Sequence, residues 1–338
     1  MGRSATRMKA LVTGGGGFLG SAIVRMLHDR GDEVSVLGRG DYPHITPCIK
    51  RVFQVDIRDA PAVAHACAGM DIVFHAAALA GIWGRGRDFW SINVEGTRNV
   101  IEACRAKSVR RLILTSTPSV VFGKNDLCGV DESTPYPSRY LAAYSETKAV
   151  AERMVLAANS PTLATVALRP HLIFGPGDPH LIPRVVARAR QGRLTQVGDG
   201  KNLVDVTYID NAADAHVKAA TALAPGGHPA GRAYFISQGA PVSLWPWLNE
   251  LLAAVGAPSV TRSMSFRNAY RAGSVLETVY RLFRIGREPP MTRFLATQLA
   301  KSHYFDISSA KRDFGYNPTI STADGVQRLV ATIGRNGA

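Results

Sequence analysis

The sequence predicts an α/β protein whose parallel sheet is doubly wound, with helices covering both of its faces. Three observations support this fold. Short apolar segments alternate with helical patterns through the first two-thirds of the chain. A glycine-rich turn separates the first apolar segment from the first helical pattern. The number of residues between successive apolar segments is typical of βαβ units, in which a helix makes the crossover connection that parallel strands need.

The expected strands are apolar runs without strict alternation, which is typical of strands buried on both faces. In chain order they are ALVT, EVSVL, RVFQV, DIVFHAA, RLILTS and TVALR. Helical patterns are expected between them at Phe18–Asp29, Ala60–Ala68, Phe89–Ala106 and Ala143–Ala158.

Composition and charge narrow the class of protein. The 338 residues are 46% hydrophobic, and no apolar run reaches the roughly 20 residues that a membrane span needs. The four cysteines show no metal or redox spacing, so we expect reduced thiols in a cytoplasmic protein without a metal site. The net charge of +14 favours anionic ligands, and the scattered basic residues argue against nucleic acid as a partner.

The stretch TGGGGFLG follows the first predicted strand and opens the first predicted helix. In this context Gly14 permits a tight turn, Gly17 lets a pyrophosphate approach the backbone, and Gly20 lets the helix pack on the sheet. Phe18 and Leu19 begin the helix, whose free N–H groups and dipole attract phosphate. The sequence therefore predicts a Rossmann-type dinucleotide site.

The end of the second strand indicates which dinucleotide binds. Sites for NAD usually carry an acidic residue there, which binds the ribose 2′-hydroxyl. This chain has Gly38 and then Arg39, and a guanidinium can hold a 2′-phosphate through two charge-assisted bonds. We therefore expect NADP(H) as the cofactor.

The chain changes character after RPHLIFGPGD. Residues 171–210 are irregular and rich in glycine and proline, whereas a helix and a strand return before a basic, mainly helical C-terminal part. We expect an NADP-binding domain over residues 1–170 that is completed by about 211–237. Residues 171–210 and 238–338 are expected to form a smaller substrate-binding lobe.

The motif YSETK places Tyr144 and Lys148 on one face of a predicted helix. An ammonium one turn away is expected to lower the pKa of the phenol, so that it can exchange a proton with a substrate oxygen. The strand end LTSTPSVVFG offers a further hydroxyl for that oxygen from Ser116, Thr117 or Ser119.

Together these motifs resemble the extended short-chain dehydrogenases/reductases, in particular the 3β-hydroxysteroid dehydrogenase-like branch. The blocks TGGGGFLG, VDIRD, HAAA, NVEGT, YSETK, RPHLIFGPGD and VDVTYIDNAADAH follow that family in order from about Met8 onward. The resemblance implies that Tyr144 is the acid/base, that Lys148 also binds the nicotinamide ribose, and that Thr117 is the catalytic hydroxyl. It further implies cofactor contacts from Asp56, Ile57, Ala76, Ala77, Ala78 and Asn93.

Within that branch the chain is most similar to bacterial 2-alkyl-3-oxoalkanoate reductases of long-chain olefin biosynthesis. The resemblance implies reduction of a large apolar β-keto acid to the 2-alkyl-3-hydroxy acid. A 3β-hydroxysteroid dehydrogenase is the main alternative, followed by a sugar-nucleotide epimerase or reductase and a non-catalytic NADP-sensing protein. A homodimer and an assembly with enzymes of the same pathway are the protein partners expected.

Residues beyond these motifs are candidates for substrate contact. Trp83 lies in a loop rich in glycine and arginine, Ser119 is near the catalytic strand end, and His171 follows a strand but is more often a core residue in such a position. Phe89 and Trp90 are expected to face the core. Arg184, Arg188 and Lys201 are candidates for binding a substrate carboxylate.

The segment 266–287 is amphipathic and contains five arginines. Apolar side chains recur there at helical spacing, namely Ala269, Gly273, Leu276, Val279, Tyr280 and Phe283. Core packing, a lid over an oily substrate and peripheral contact with an anionic membrane are the three interpretations that the sequence leaves open.

Overall fold

A seven-stranded parallel sheet forms the centre of the protein. The computed structural model describes residues 7–179 and 181–336. The sheet order is β3-β2-β1-β4-β5-β7-β12. These strands are β1 (Lys9–Thr13), β2 (Glu33–Gly38), β3 (Arg51–Gln54), β4 (Ile72–His75), β5 (Arg111–Thr115), β7 (Ala164–Pro170) and β12 (Arg232–Ile236).

The sheet is doubly wound, as predicted. From β1 the chain proceeds outward to β3, then returns through β4 and continues to the opposite edge. The strand order therefore reverses between β1 and β4, and ligands bind beyond the carboxyl ends of the strands at such a point. Every predicted strand lies in this sheet within two residues of its expected bounds.

Helices cover both faces of the sheet. Neighbouring residues of β1 serve opposite faces, since Ala10 and Val12 join one apolar core while Leu11 joins the other. The helices that follow the sheet strands are α1 (Phe18–Asp29), α2 (Ala60–Cys67), α3 (Gly86–Phe89), α4 (Gly96–Ala106), α5 (Ala143–Ala157), α6 (Leu181–Arg190) and α7 (Ile209–Ala222). Residues Pro43–Cys48 and Pro118–Val121 form 3-10 turns, and Trp90–Glu95 form a π-helix.

The C-terminal part is mainly helical around short strands. Its helices are α8 (Leu244–Ala254), α9 (Phe266–Leu282), α10 (Arg293–Ala300), α11 (Ser308–Phe314) and α12 (Thr322–Asn336). A small sheet has the order β13-β10-β15-β6, and the pairs β8–β11 and β9–β14 lie apart from it. These strands are β6 (Leu127–Val130), β8 (Ile173–Phe174), β9 (Gln196–Val197), β10 (Leu203–Val204), β11 (Thr207–Tyr208), β13 (Val242–Ser243), β14 (Ser263–Met264) and β15 (His303–Phe305).

One core prediction is wrong. Phe89 is buried as expected, but Trp90 is 43% exposed. The inward face of this helical segment runs through Phe89, Asn93 and Thr97, which are all buried. Trp90 lies about 100° around the helix from Phe89, so it points away from that face.

Candidate active site

The glycine-rich turn between β1 and α1 brings three backbone segments together. Gly14 has a φ of +69°, a left-handed conformation that favours glycine. A Cβ atom there would lie 2.8 Å from the Cα atom of Ala77. At Gly20 a Cβ would overlap the carbonyl oxygen of Gly14. These backbone segments can therefore pack so closely only because both positions lack side chains.

Helix α1 begins directly after this turn. Gly17 is exposed and accepts the first main-chain hydrogen bond of the helix, from Ser21 N at 2.8 Å. Phe18 and Leu19 are half-buried and pack against the apolar core. This arrangement directs the free N–H groups of the first helical turn toward the cleft at the sheet edge, where they can bind a pyrophosphate.

A cleft of about 190 Å³ continues from the turn along the ends of β1, β2 and β3. Its lining combines predicted residues with others that the sequence did not indicate, namely Gly14, Leu37, Gly38, Arg39, Tyr42, Val55, Asp56, Ile57, Ala77, Ala78, Leu79 and Ile92. Arg39 is exposed at the rim. The cleft has the lining expected of the adenosine end of a dinucleotide site.

Asp56 is held in its ionised form on one side of this cleft. Arg58 donates to both carboxylate oxygens, at 2.9 and 2.7 Å, and these bonds lower the pKa of Asp56 to about 2. The positive charge of Arg39 lowers that pKa further. Because Arg58 is already bonded to Asp56, Arg39 is the cation better placed to meet a phosphate.

Tyr42 was missed by the sequence analysis. Its hydroxyl accepts a hydrogen bond from the main-chain N–H of Gly40 at 3.0 Å. Its ring lies so close to Gly16, and its hydroxyl so close to Gly38, that a Cβ atom at either position would overlap the tyrosine. Tyr42 forms a wall of the cleft because it lies close to three glycines in space. The order of residues in the sequence does not show this proximity.

Asn93 fixes the backbone after β4. Its side chain exchanges two hydrogen bonds with the main chain of Leu79, at 2.7 and 3.1 Å, and a third reaches the hydroxyl of Thr147. The preceding Ala76 is bonded through its N–H to the carbonyl of Thr13. Asn93 is 2% exposed, so the structure gives it a positioning role beneath the cleft.

His75 adds a buried polar chain beneath this loop. Its ring nitrogens bond to the hydroxyls of Thr13 and Thr97 at 2.8 and 2.9 Å. Burial and the charge of Lys148 lower the pKa of His75 to about 3, so the ring is neutral. The motif HAAA contains this residue, but nothing in its spacing indicates the two partners.

Tyr144 and Lys148 lie one turn apart on α5, beside the end of β5. The Nζ of Lys148 donates to the carbonyl oxygen of Thr115 at 2.6 Å. Burial lowers the pKa of Lys148 to about 8, and the nearby carboxylate of Glu152 raises it in part. The lysine is 3% exposed and is held against the strand end where a cofactor ribose is expected.

The pKa of Tyr144 moves in the direction opposite to the one expected from its spacing to Lys148. Burial raises this pKa to about 12, and a hydrogen bond with Thr117 offsets part of the increase. The lysine amine is bonded to Thr115, and desolvation of the phenolate is the largest effect on this pKa. Tyr144 is therefore a protonated phenol near neutral pH.

Among the three candidate hydroxyls, Thr117 is the one that contacts Tyr144. Its hydroxyl also donates to Ser119 at 3.2 Å and accepts from the Ser119 N–H at 3.2 Å. Ser116 is buried, and within the described residues its hydroxyl has no hydrogen-bond partner. Ser119 therefore orients the hydroxyl of Thr117 through these two hydrogen bonds.

A larger cavity of about 870 Å³ begins next to Tyr144 at residues 141–143. The loop 82–89 forms one wall, and the C-terminal part of α9 with residues 284–286 forms the other. Trp83 meets Tyr280 edge to face at 6.2 Å, and the guanidinium of Arg281 lies 5.4 Å above the Trp83 ring. Part of the segment 266–287 is therefore a cavity wall.

The cavity rim is strongly basic. Four arginines line it, and the carboxylates among its lining residues are Asp88 and Glu277. The arginines are Arg85, Arg87, Arg281 and Arg284. Such a rim attracts anions.

A model of the 3-beta hydroxysteroid dehydrogenase/isomerase family matches residues 11–266 of the chain. The chain belongs to this family. Two bacterial relatives are both named 2-alkyl-3-oxoalkanoate reductase. The protein from Stenotrophomonas maltophilia is 52% identical over 96% of this chain and 99% of its own length. The protein from Shewanella oneidensis is 49% identical over 96% of this chain and 86% of its own length.

Other family members carry different names. A 3-beta-hydroxysteroid dehydrogenase of Mycolicibacterium neoaurum is 35% identical over 93% of this chain and 88% of its own length. Among solved structures, a double mutant of dTDP-glucose 4,6-dehydratase from Streptomyces venezuelae with NAD bound has a TM-score of 0.74. It is 27% identical and covers 97% of this chain and 98% of that one. The chain, as a member of the 3-beta hydroxysteroid dehydrogenase/isomerase family, is thus an oxidoreductase with a Rossmann fold that uses a nicotinamide cofactor.

The structure places the remaining predicted residues of this family member away from the cavity lining. His171 is 5% exposed, and its ring bonds to the buried ring of His303 at 2.6 Å. Arg184 forms an ion pair with Glu288. Arg184, Arg188 and Lys201 do not line the large cavity, so the basic residues closest to it are the four rim arginines.

Proposed function

We propose that the protein uses NADPH to reduce the 3-keto group of a 2-alkyl-3-oxoalkanoate, giving the 2-alkyl-3-hydroxyalkanoate. The observation that carries this proposal is the position of Tyr144, a protonated phenol that contacts Thr117 and directly follows residues 141–143 of the large cavity wall. The names of the two bacterial relatives support the substrate class. A step of long-chain olefin biosynthesis stays a prediction.

The preference for NADPH rests on the end of β2. Gly38 offers no carboxylate to a ribose 2′-hydroxyl, and Arg39 stands exposed at the cleft rim. A guanidinium in this position forms charge-assisted hydrogen bonds with a 2′-phosphate. The free N–H groups at the start of α1, directly after the glycine-rich turn, would hold a pyrophosphate against the backbone.

The chemistry of the reaction is assigned to three side chains. When bound, the nicotinamide supplies the hydride that reaches C3 of the substrate. Tyr144 donates its proton to the keto oxygen, and Thr117 holds that oxygen through a second hydrogen bond. Lys148, fixed by the carbonyl of Thr115, binds the cofactor ribose and stabilises the phenolate that Tyr144 becomes.

The large cavity is assigned to the substrate. Trp83 and Tyr280 supply aromatic walls for the alkyl chains, and each buried methylene contributes about 0.8 kcal/mol. The carboxylate of a β-keto acid is two bonds from the reacting carbon and therefore stays near Tyr144. The rim arginines act before binding, by attracting the anion toward the cavity.

We assign the binding of the cofactor and the binding of the substrate to different parts of the chain. Residues 1–170, completed by 211–237, hold the cofactor, and residues 171–210 and 238–338 form the substrate-binding lobe, of which residues 277–286 line the large cavity together with 82–89 and 141–143. Residues 1–6, 180 and 337–338 of these ranges lie outside the described residues. A homodimer, an assembly with other enzymes and a cytoplasmic location also stay predictions.

A coupled assay tests the proposal. Oxidation of NADPH and NADH is followed with 2-alkyl-3-oxoalkanoates of increasing chain length, their methyl esters, a 3-ketosteroid and a sugar nucleotide. We expect kcat/KM to rise with chain length, to favour NADPH, and to fall with added salt for the acids but not for the esters. A lack of turnover with every keto acid would overturn the proposal.

The 3β-hydroxysteroid dehydrogenase is the second candidate, because the relative from Mycolicibacterium neoaurum carries that name. It would use the same three side chains with a neutral, rigid substrate. Efficient turnover of the 3-ketosteroid without any increase along the acid series would support this candidate and replace the first.

A further inference from the structure

Helix α9 has an apolar outer face that no other described part of the chain covers. Three of its apolar side chains, Val275, Val279 and Leu282, are 62%, 37% and 74% exposed, and Phe283 at its end is 70% exposed. Residues spaced by three and four positions share one side of a helix. These side chains therefore form a continuous ridge, which we call the α9 ridge, Val275–Phe283.

The ridge cannot turn inward, because the opposite side of α9 is fixed. Ala269, Gly273 and Glu277 are buried at intervals of four residues. A Cβ atom at Gly273 would lie 2.5 Å from the carbonyl carbon of Thr292, so the helix packs directly on the start of α10. The carboxylate of Glu277 accepts hydrogen bonds from Arg293 of that helix.

Every exposed charged side chain of the segment 266–287 is positive. Exposed arginines lie at both ends of α9, namely Arg267, Arg271, Arg281, Arg284 and Arg287. Glu277 is the single acidic residue between positions 266 and 287, and it is 1% exposed and paired with Arg293. An apolar ridge flanked by arginine is the pattern of a helix that lies in the interface of an anionic lipid bilayer.

The ridge is also continuous with the mouth of the large cavity. Tyr280, Arg281, Arg284 and Ile285 line that cavity, whereas Leu282 and Phe283 between them point outward. A bilayer in contact with the ridge would thus lie beside the cavity entrance. None of the helices in the described part of the chain is long and apolar enough to cross a membrane, so such contact is peripheral.

We propose that the α9 ridge docks the protein on an anionic phospholipid surface, with the leucine and phenylalanine inserted among the acyl chains and the flanking arginines bound to headgroup phosphates. This proposal goes beyond the proposed function and does not depend on the identity of the substrate. It assigns the outer side of α9 to the membrane and its inner side to the cavity.

Vesicle cosedimentation of the full chain tests the proposal. We expect the protein to bind vesicles of phosphatidylglycerol and phosphatidylcholine, to bind pure phosphatidylcholine far less, and to dissociate as salt increases. The variant Leu282→Gln/Phe283→Gln should bind at least tenfold more weakly. Arg267→Gln/Arg271→Gln should bind about 25-fold more weakly, since each arginine near the surface changes binding roughly fivefold.

The control variant Lys107→Gln/Arg110→Gln removes two exposed charges at the amino-terminal end of β5 and should bind as the native protein does. All substituted side chains are exposed, and circular dichroism verifies the fold of each variant. Equal binding to both kinds of vesicle, no binding, or binding unchanged by the ridge variants would each overturn the proposal. So would a dimer in solution that Leu282→Gln/Phe283→Gln converts to a monomer, because a second copy would then cover the ridge.

Discussion

Arg293 donates three hydrogen bonds to the carboxylate of Glu277, from its main-chain N–H, Nε and Nη2, at 2.7, 2.9 and 2.7 Å. Glu277 is 1% exposed and the Arg293 side chain is 31% exposed, so this pair joins α9 to α10 with the carboxylate shielded from water. The pair thus fixes the position of α9, whose C-terminal part forms one wall of the large cavity.

Removing one partner of this pair should be costly. Arg293→Met leaves a buried charge without its main partner, and we expect the free energy of unfolding to fall by about 3–5 kcal/mol. Arg281→Met is the matched control, since Arg281 lies 3.6 Å from the same carboxylate but is 61% exposed, and its loss should cost less than about 1 kcal/mol. Urea unfolding measures both values. Equal effects of the two variants would contradict this ranking.

The assignment of the proton donor predicts a separation between binding and turnover. Tyr144→Phe should bind NADPH with unchanged affinity, measured by cofactor fluorescence, and lose about 10²- to 10⁴-fold in kcat because the transferable proton is gone. Thr117→Ala should lower kcat by a smaller factor. Ser116→Ala is the control, since its hydroxyl does not bond to Tyr144. A larger loss for Ser116→Ala than for Thr117→Ala would show that the wrong hydroxyl has been assigned.

The cofactor preference depends on one exposed guanidinium. Arg39→Ala should weaken NADPH binding at least tenfold and leave NADH nearly unchanged, because a charge-assisted hydrogen bond is worth about 1.5–3 kcal/mol. Arg51→Ala removes an equal charge from the amino-terminal end of β3, whereas the cleft lies at the carboxyl ends of the strands, and it should change neither affinity. Titration calorimetry with both cofactors measures the ratio. A parallel loss of NADPH and NADH binding would exclude a 2′-phosphate contact.

A buried carboxylate outside the active site predicts a pH dependence of stability. Asp205 is 1% exposed, and burial raises its pKa to about 6, although the N–H of Phe305 donates to it at 2.9 Å. Between about pH 4 and pH 6 the folded chain keeps a proton that the unfolded chain has lost, so this group lowers stability as the pH rises.

The Asp205→Asn variant removes that ionisation. We expect it to match the native protein near pH 4 and to be more stable by about 3 kcal/mol above pH 7, the value of a pKa difference of about two units. Urea unfolding at pH 4.5 and pH 7.5 measures the difference. A variant that is less stable than the native chain at pH 7.5 would mean that the ionised carboxylate is required there.

The main sheet could be predicted because its strands carry their own signal. A strand such as β7 is buried at all seven positions, and its sequence ATVALRP is apolar except at Thr165 and Arg169. The glycine-rich turn is also local, since steric limits at Gly14 and Gly20 arise within a few residues. The spacing of Tyr144 and Lys148 follows from the helical repeat alone.

The rest depends on residues that are distant in sequence. The strands of the small lobe are mostly two residues long, too short to show a periodic pattern. The cavity walls come from residues 82–89 and from 277–286, and nothing local connects these segments. The pKa of Tyr144 reflects burial, which its spacing to Lys148 does not reveal, and so its direction was predicted wrongly.

The edge strand β12 has a consequence for the newly made chain. It pairs with β7, yet about 60 residues separate the two strands along the sequence. At ordinary translation rates of about 5–20 residues per second, β7 waits roughly 3–12 s for its neighbour to be synthesised. During that interval an apolar strand edge is open to pairing with other nascent chains. The order of synthesis therefore leaves this edge of β7 open until β12 emerges, and a chaperone that covers it during the interval would favour correct folding.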